Sequence, residues 1–232
     1  GYGTWGKKVF NSLRKIKKIN KIYLIKNRRE KVNFKFDNID WIFVTTSISN
    51  HYRVVQKFLK KKINVFCEKP LTKNYNDDIK LYRVAKKNNC KLYVSDIENF
   101  KIKKIKLIKK NIILRSKFSH DKKNIIERLA YHDFTYLYVL IKNKSPKNIK
   151  ILKNTRGELN LSIKFDRKLF ILKYNLNINQ KKHSFNNVDL TTKKNILKKM
   201  LLKVIQNKVN FAKNKKISLF ASRISKKINE RI

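Results

Sequence analysis

Trp5, Val9, Leu13 and Ile16 follow one another at spacings of four, four and three residues, which places their side chains on one stripe of a helix. The apolar run Ile22-Tyr23-Leu24-Ile25 comes next; it is too short for a helix and rich in strand formers, so it predicts a strand. Asp40 to Thr45 reads as a second strand, buried on both faces as a parallel sheet requires. A helix is expected over about residues 51–62, with Val54, Val55, Phe58 and Leu59 on one face. A strand from Ile63 to Cys67 then runs into Glu68-Lys69-Pro70. Asn76 suits the N-cap of the following helix, with Asp77 and Asp78 in its positive first turn and Lys86 and Lys87 near its negative end. Lys91 to Ser95 predicts a closing strand. Short buried strands alternating with helices imply a parallel α/β sheet.

The pattern changes after about residue 97. Leu159, Leu161, Ile163 and Phe165 alternate with Glu158, Asn160, Ser162 and Lys164, the period-two signature of a half-buried strand. Asp166-Arg167 turns the chain, and Leu172, Tyr174, Leu176 and Ile178 alternate again, so 158–178 predicts an antiparallel hairpin. Helices are expected around Phe134, Leu137, Tyr138 and Ile141, around Ile196, Met200 and Val204, and around Phe220, Ile224 and Ile228. The division expected is an α/β domain over 1–97 and an α+β domain over 98–232.

Composition narrows the classes. With 41% hydrophobic and 11% aromatic residues the chain can build a core, which excludes the disordered class, and 4 Gly with 2 Pro exclude collagen-like and linker chains. No uncharged apolar run approaches the ~18 residues of a membrane span, so no membrane role is expected. Cys67 and Cys90 are too few for a disulfide scaffold, and a reducing cytoplasm is the expected compartment. Sixty Lys+Arg against 15 Asp+Glu give a formal net charge of +45. Lys far outnumbers Arg and is spread from end to end, together with abundant Asn and Ile, which reads as a composition bias rather than the basic stripe of a nucleic-acid binder. A polyanion-binding protein stays open as a lesser alternative, separable by a steep salt dependence of binding.

Residues 1–6, GYGTWG, read G-x-G-x-x-G, the turn whose glycines let backbone N–H groups approach a pyrophosphate at a helix N-terminus. That turn needs a strand before it, and the sequence given starts at Gly1; about five to eight mostly apolar residues are expected upstream. Residues 39–72, IDWIFVTTSISNHYRVVQKFLKKKINVFCEKPLT, add a second motif: Thr46, His51 and Glu68-Lys69-Pro70 at set spacings. Together these segments resemble the glucose–fructose oxidoreductase / inositol 2-dehydrogenase / MocA (Gfo/Idh/MocA) family, strongly over residues 1–95 and loosely beyond. The resemblance implies a Rossmann-type parallel sheet, its first strand lying outside the sequence given, followed by an α+β domain with a largely antiparallel sheet. It further implies an NAD(P)-dependent oxidoreductase that moves a hydride between a nicotinamide cofactor and a sugar, sugar derivative or polyol-like substrate, and a homo-oligomer built through the C-terminal sheet.

By that resemblance the cofactor meets Gly1, Gly3, Thr4, Trp5, Gly6, Thr45, Thr46, Ser47, Asn50, His51, Glu68 and Lys69. Hydride transfer from an alcohol also moves a proton, so a donor or acceptor must lie within about 3 Å of the reacting oxygen. Lys69, at the end of a parallel strand, is the first candidate, because desolvation beside a cationic nicotinamide disfavours an ammonium. His132, in Tyr131-His132-Asp133-Phe134, resembles the family's histidine over the substrate and is the second catalytic candidate. Family members often carry an aspartate four residues before it; here Arg128 stands there and is a candidate for binding an anionic substrate group. Ser47 replaces the usual proline of the Thr-Pro turn, and Asp96-Ile97-Glu98-Asn99-Phe100 replaces the usual Arg-Phe segment; that segment and Arg128 suit a non-catalytic dinucleotide-binding alternative. After Ile25 come Lys26, Asn27, Arg28 and Arg29 with no acid before Glu30, so Arg28 and Arg29 point to NADP, with NAD possible. His51, His120, His132 and His183 are scattered, and no metal site is expected.

Overall fold

A computed structural model describes residues 1–26, 36–101, 105–142, 144–191 and 195–232. The chain forms two compact units, Gly1–Phe100 with Lys194–Leu219, and Lys101–Lys193 with Phe220–Ile232.

In the first unit, β1 (Trp41–Val44), β2 (Asn64–Cys67) and β3 (Leu92–Val94) make a parallel sheet in the order β1-β2-β3, with Val44 opposite Cys67 and Cys67 opposite Val94. Parallel neighbours require crossovers, supplied by α2 (Ile48–Lys60) and α3 (Tyr75–Lys87). Alternation along β2 sorts the core. Val65 and Cys67 join Val55, Leu59 and Leu81 on one face. Phe66 joins Val9 and Leu13 of α1 (Thr4–Arg14) and Met200, Leu201 and Val204 of α5 (Ile196–Ile205) on the other. The parallel α/β sheet read from the sequence is therefore present, covered on both faces. Residues 194–219, expected in the second domain, instead close this face, because the apolar stripe of α5 meets Phe66 and Tyr93. Asn214 completes the outer edge of β3: its side-chain amide exchanges two 2.9 Å hydrogen bonds with the Val94 backbone.

Two local expectations change. Ile22–Ile25 is irregular and pairs with no strand among the described residues; with Trp41–Val44 it lines a cavity of about 1690 Å³. Asn74, not Asn76, caps α3, its side chain accepting the Asn76 N–H at 2.8 Å. Helix starts are decided by which carbonyl turns first, which propensity leaves open by a residue or two.

The second unit is a six-stranded sheet, β4 (Lys110–Ser116), β5 (Asn148–Thr155), β6 (Glu158–Phe165), β7 (Lys168–Asn175), β8 (Lys182–Phe185) and β9 (Val188–Asp189), ordered β5-β6-β7-β4-β8-β9. Only its β4–β7 pair is parallel. The expected hairpin is β6–β7, turned at Asp166 with φ 45°. Its inward residues, Leu159, Leu161, Ile163, Phe165, Phe170, Leu172 and Tyr174, are all buried, each aliphatic one stabilising the fold by about 1.5–3 kcal/mol. α4 (Tyr131–Leu140) and the end of α6 (Phe211–Asn229) contribute rings to this layer: Tyr136 meets Phe185, and Phe220 meets Tyr138 and Phe165. Among the described residues, no helix is long and apolar enough to cross a membrane.

Candidate active site

The carboxyl ends of parallel strands carry the exposed loops of an α/β sheet, and ligands bind there. In the first unit Thr45–Ser47 leaves β1 and Glu68–Pro70 leaves β2, with Gly1–Gly6 packed beside Thr45. The Thr45 hydroxyl donates to the Gly1 carbonyl at 2.7 Å. A Cβ on Gly6 would lie 2.2 Å from that same carbonyl oxygen, so glycine is required there for helix and turn to approach. Gly3 is different. It caps α1 with φ −71° and ψ −172°, a conformation any residue adopts, and a Cβ there would meet nothing within 4 Å. No side chain caps this helix start and no acid lies in its first turn, so its N–H groups and positive dipole end are left for an external anion.

The strand ends supply buried polar atoms. Glu68 is 8% exposed; its Oε2 accepts the Lys69 N–H at 3.3 Å, while Oε1 has no hydrogen-bond partner. Thr46 Oγ1 and Trp5 Nε1 are likewise buried without a partner. Burial pushes the Glu68 carboxyl above its usual range, and the neighbouring Trp5 indole, Lys69 charge and Ser95 hydroxyl only partly offset this. A buried donor or acceptor left unsatisfied costs about 1–3 kcal/mol, so three of them at one rim mark a place where a polar ligand recovers energy. Lys69 is half-buried beside them. Ser47 is exposed, and its hydroxyl accepts from the Asn50 amide at 2.7 Å. Gly1, Gly3, Thr4, Trp5, Gly6, Thr45, Thr46, Ser47 and Asn50 all line the cavity described above.

His51, expected as a cofactor contact, turns both ring nitrogens to the main chain. It is 2% exposed, with Nδ1 3.0 Å from the Pro70 carbonyl oxygen and Nε2 3.0 Å from that of Thr46. Burial lowers its pKa, and the carbonyl acceptors, which favour the doubly donating imidazolium, offset part of that. Both nitrogens face the protein's own backbone. Arg28 and Arg29 lie outside the described residues.

In the second unit, residues 126–130 form a π-helical turn that leads into α4, placing Arg128 in the turn and half-buried His132 in the first turn of the helix. Arg128 donates to Asp121 at 2.5 Å and to the Ser119 hydroxyl at 2.9 Å, so its charge is met within the protein. Next to His132, fully buried Asp133 takes two hydrogen bonds from Arg115, at 2.9 and 3.1 Å, and lies 2.9 Å from His183 Nε2. The register sets Arg115 opposite both Tyr174 and His183 on adjacent strands. The sequence reading missed this cluster; an arginine two places from Ile113 on the inward face of β4 was the available signal. Among the described residues, no group of three His, Cys, Asp or Glu is placed to hold a metal ion.

Residues 7–96 match the family described as Oxidoreductase family, NAD-binding Rossmann fold (GFO_IDH_MocA). The resemblance to Gfo/Idh/MocA oxidoreductases holds. Solved structures agree at the level of fold. UDP-N-acetylglucosamine 3-dehydrogenase GnnA from Acidithiobacillus ferrooxidans is 12% identical, with TM-score 0.66 over 79% of this chain and 77% of its own. The WlbA (WbpB) dehydrogenase from Thermus thermophilus, in complex with NAD and alpha-ketoglutarate, is 9% identical, with TM-score 0.62 over 80% and 72%. The aldose-aldose oxidoreductase from Caulobacter crescentus, complexed with glycerol, is 12% identical, with TM-score 0.64 over 82% and 76%. No curated protein sequence matches. Beside that match to an NAD-binding Rossmann fold, the open Gly3 position, the uncapped start of α1 and the orphaned polar atoms at the strand ends fit a dinucleotide.

Proposed function

We propose that the protein is an NAD(P)-dependent oxidoreductase acting on a CH–OH group of a sugar, sugar derivative or polyol-like substrate. The observation that supports the coenzyme part is the uncapped start of α1 at Gly3, where nothing lies within 4 Å of the side a Cβ would occupy, so a pyrophosphate can approach the first N–H groups. Gly3 and Thr4 at the start of α1 would hold the pyrophosphate, and Thr46, Glu68 and Trp5 would meet the polar edge of the dinucleotide. Such a coenzyme, when bound, supplies the hydride acceptor or donor. Lys69 would exchange the proton of the substrate oxygen, and His132 is assigned from the sequence to polarise that oxygen. An anion-binding role for Arg128 is not part of the proposal, because Asp121 already neutralises it.

Gly3→Ala is expected to fold with a midpoint lowered by only a few °C, since alanine is a poorer N-cap than glycine, yet bind coenzyme at least about tenfold more weakly, since its methyl would occupy the phosphate approach. Gly6→Ala should lower the midpoint more, because the 2.2 Å contact with Gly1 must be relieved by moving the helix. Thermal melts and nicotinamide fluorescence titrations read both; normal binding by Gly3→Ala would remove the phosphate cradle.

The basic run at 26–29 supports NADP over NAD. Titration of the parent protein should show tighter NADPH than NADH binding, and the opposite order refutes that choice. Two free cysteines suit a reducing, cytoplasmic compartment, and the open sheet of the second unit is the surface proposed for homo-oligomer assembly.

A further inference from the structure

Thr45–Ser47 and Glu68–Pro70 leave neighbouring strands, and the main-chain ladder between β1 and β2 runs as far as the Glu68 N–H donating to the Val44 carbonyl at 2.9 Å. Past that point the His51 ring supplies the next connection, one nitrogen at the Thr46 carbonyl and the other at the Pro70 carbonyl, each at 3.0 Å. The ring is rooted in α2, whose Val55, Phe58 and Leu59 are buried in the core, so it cannot follow either segment independently. A single rigid ring with two nitrogens thus spans two segments far apart in the chain, one carrying Thr46 and the other following Glu68 and Lys69. Resting on the coenzyme reading above, we propose that His51 is a positioning residue that holds these two segments at a fixed separation, so that the groups each offers to the dinucleotide stay aligned. It does so from behind, without touching the ligand.

The test compares His51→Asn with His51→Gln in the full chain. Both are neutral amides with the same NH2 donor, but asparagine falls short of the ring nitrogens' positions, whereas the longer glutamine stem brings its NH2 to one of the two carbonyls and keeps that link. Peptides covering 45–50 and 68–72 should exchange amide hydrogens faster together in His51→Asn, while those covering Leu92–Val94 remain as in the parent. NADPH affinity should fall by about tenfold in His51→Asn and stay within about threefold of the parent in His51→Gln. Should His51→Asn fail to fold, His51→Gln must still fold and bind within that margin. Loosening of one segment alone, loosening of the whole unit, or a glutamine variant no better than the asparagine one overturns the proposal. Joint loosening in a parent protein that binds neither NADPH nor NADH leaves the clamp standing and removes the coenzyme reading instead.

Discussion

Replacing Lys69 by methionine is expected to lower kcat by roughly 10²–10⁴-fold, the usual worth of a positioned proton donor or acceptor, while coenzyme affinity changes by less than about threefold. Methionine keeps the length and apolar stem but removes the amine. The expectation rests on position: Lys69 lies two residues past the strand end at Cys67, is half-buried, and shares its segment with a carboxylate whose Oε1 is buried without a partner. Steady-state turnover over a panel of sugars and polyols, with coenzyme affinity measured separately, divides the possibilities. A variant that turns over like the parent would eliminate Lys69 as the proton-transfer group. A parent that binds coenzyme yet oxidises nothing in the panel would favour the non-catalytic alternative.

The second large effect concerns stability and lies in the other unit. The Arg115 side chain on β4 is only 10% exposed, and the fully buried carboxylate of Asp133 on α4 is its counter-charge. Burial alone would raise the Asp133 carboxyl, but the Arg115 charge and then His183 overcome it and hold the pKa at about 2, below the ordinary 3.8. Asp133→Ala leaves a buried guanidinium without its partner, which costs about 3–5 kcal/mol, so the unfolding midpoint should drop by about 10 °C. Arg115→Met combined with Asp133→Leu should be milder than either single change, because no buried charge is then left alone. A single-variant midpoint within about 2 °C of the parent would show the cluster to be energetically idle.

The sign of the acid response follows from the same pair. Because the folded pKa of Asp133 is depressed, its contribution is complete above the unfolded value and fades as pH falls from about 4 through 2. The loss amounts to about 2 kcal/mol. In urea titrations, parent and Asp133→Asn should therefore converge in stability across that interval; a constant gap would contradict the linkage.

Both effects depend on residues that stand differently in the amino-acid sequence. Lys69 was legible because Glu68-Lys69-Pro70 follows a short apolar strand, and strand ends in a parallel sheet are where chemistry collects. Asp133 was not: it is one acid among helix residues, and nothing in its neighbourhood announces an arginine eighteen positions earlier or a histidine fifty positions later. His51 was visible as a motif residue but was assigned to the ligand, since a spacing pattern records that a side chain matters and leaves open what it faces.

Taken alone, the order of apolar and polar residues determined the α/β sheet with its helices, the β6–β7 hairpin, the glycine turn and the candidate lysine, because each depends on burial periodicity or turn chemistry within one short segment. The tertiary structure decided that α5 covers the first sheet, that the His51 ring faces two backbone carbonyls, and that Asp133 meets Arg115 and His183. These are pairings between distant segments. A strand needs a neighbour, a helix stripe needs a surface and a buried charge needs a counter-charge, and which partner arrives is set only once the chain has crossed back on itself.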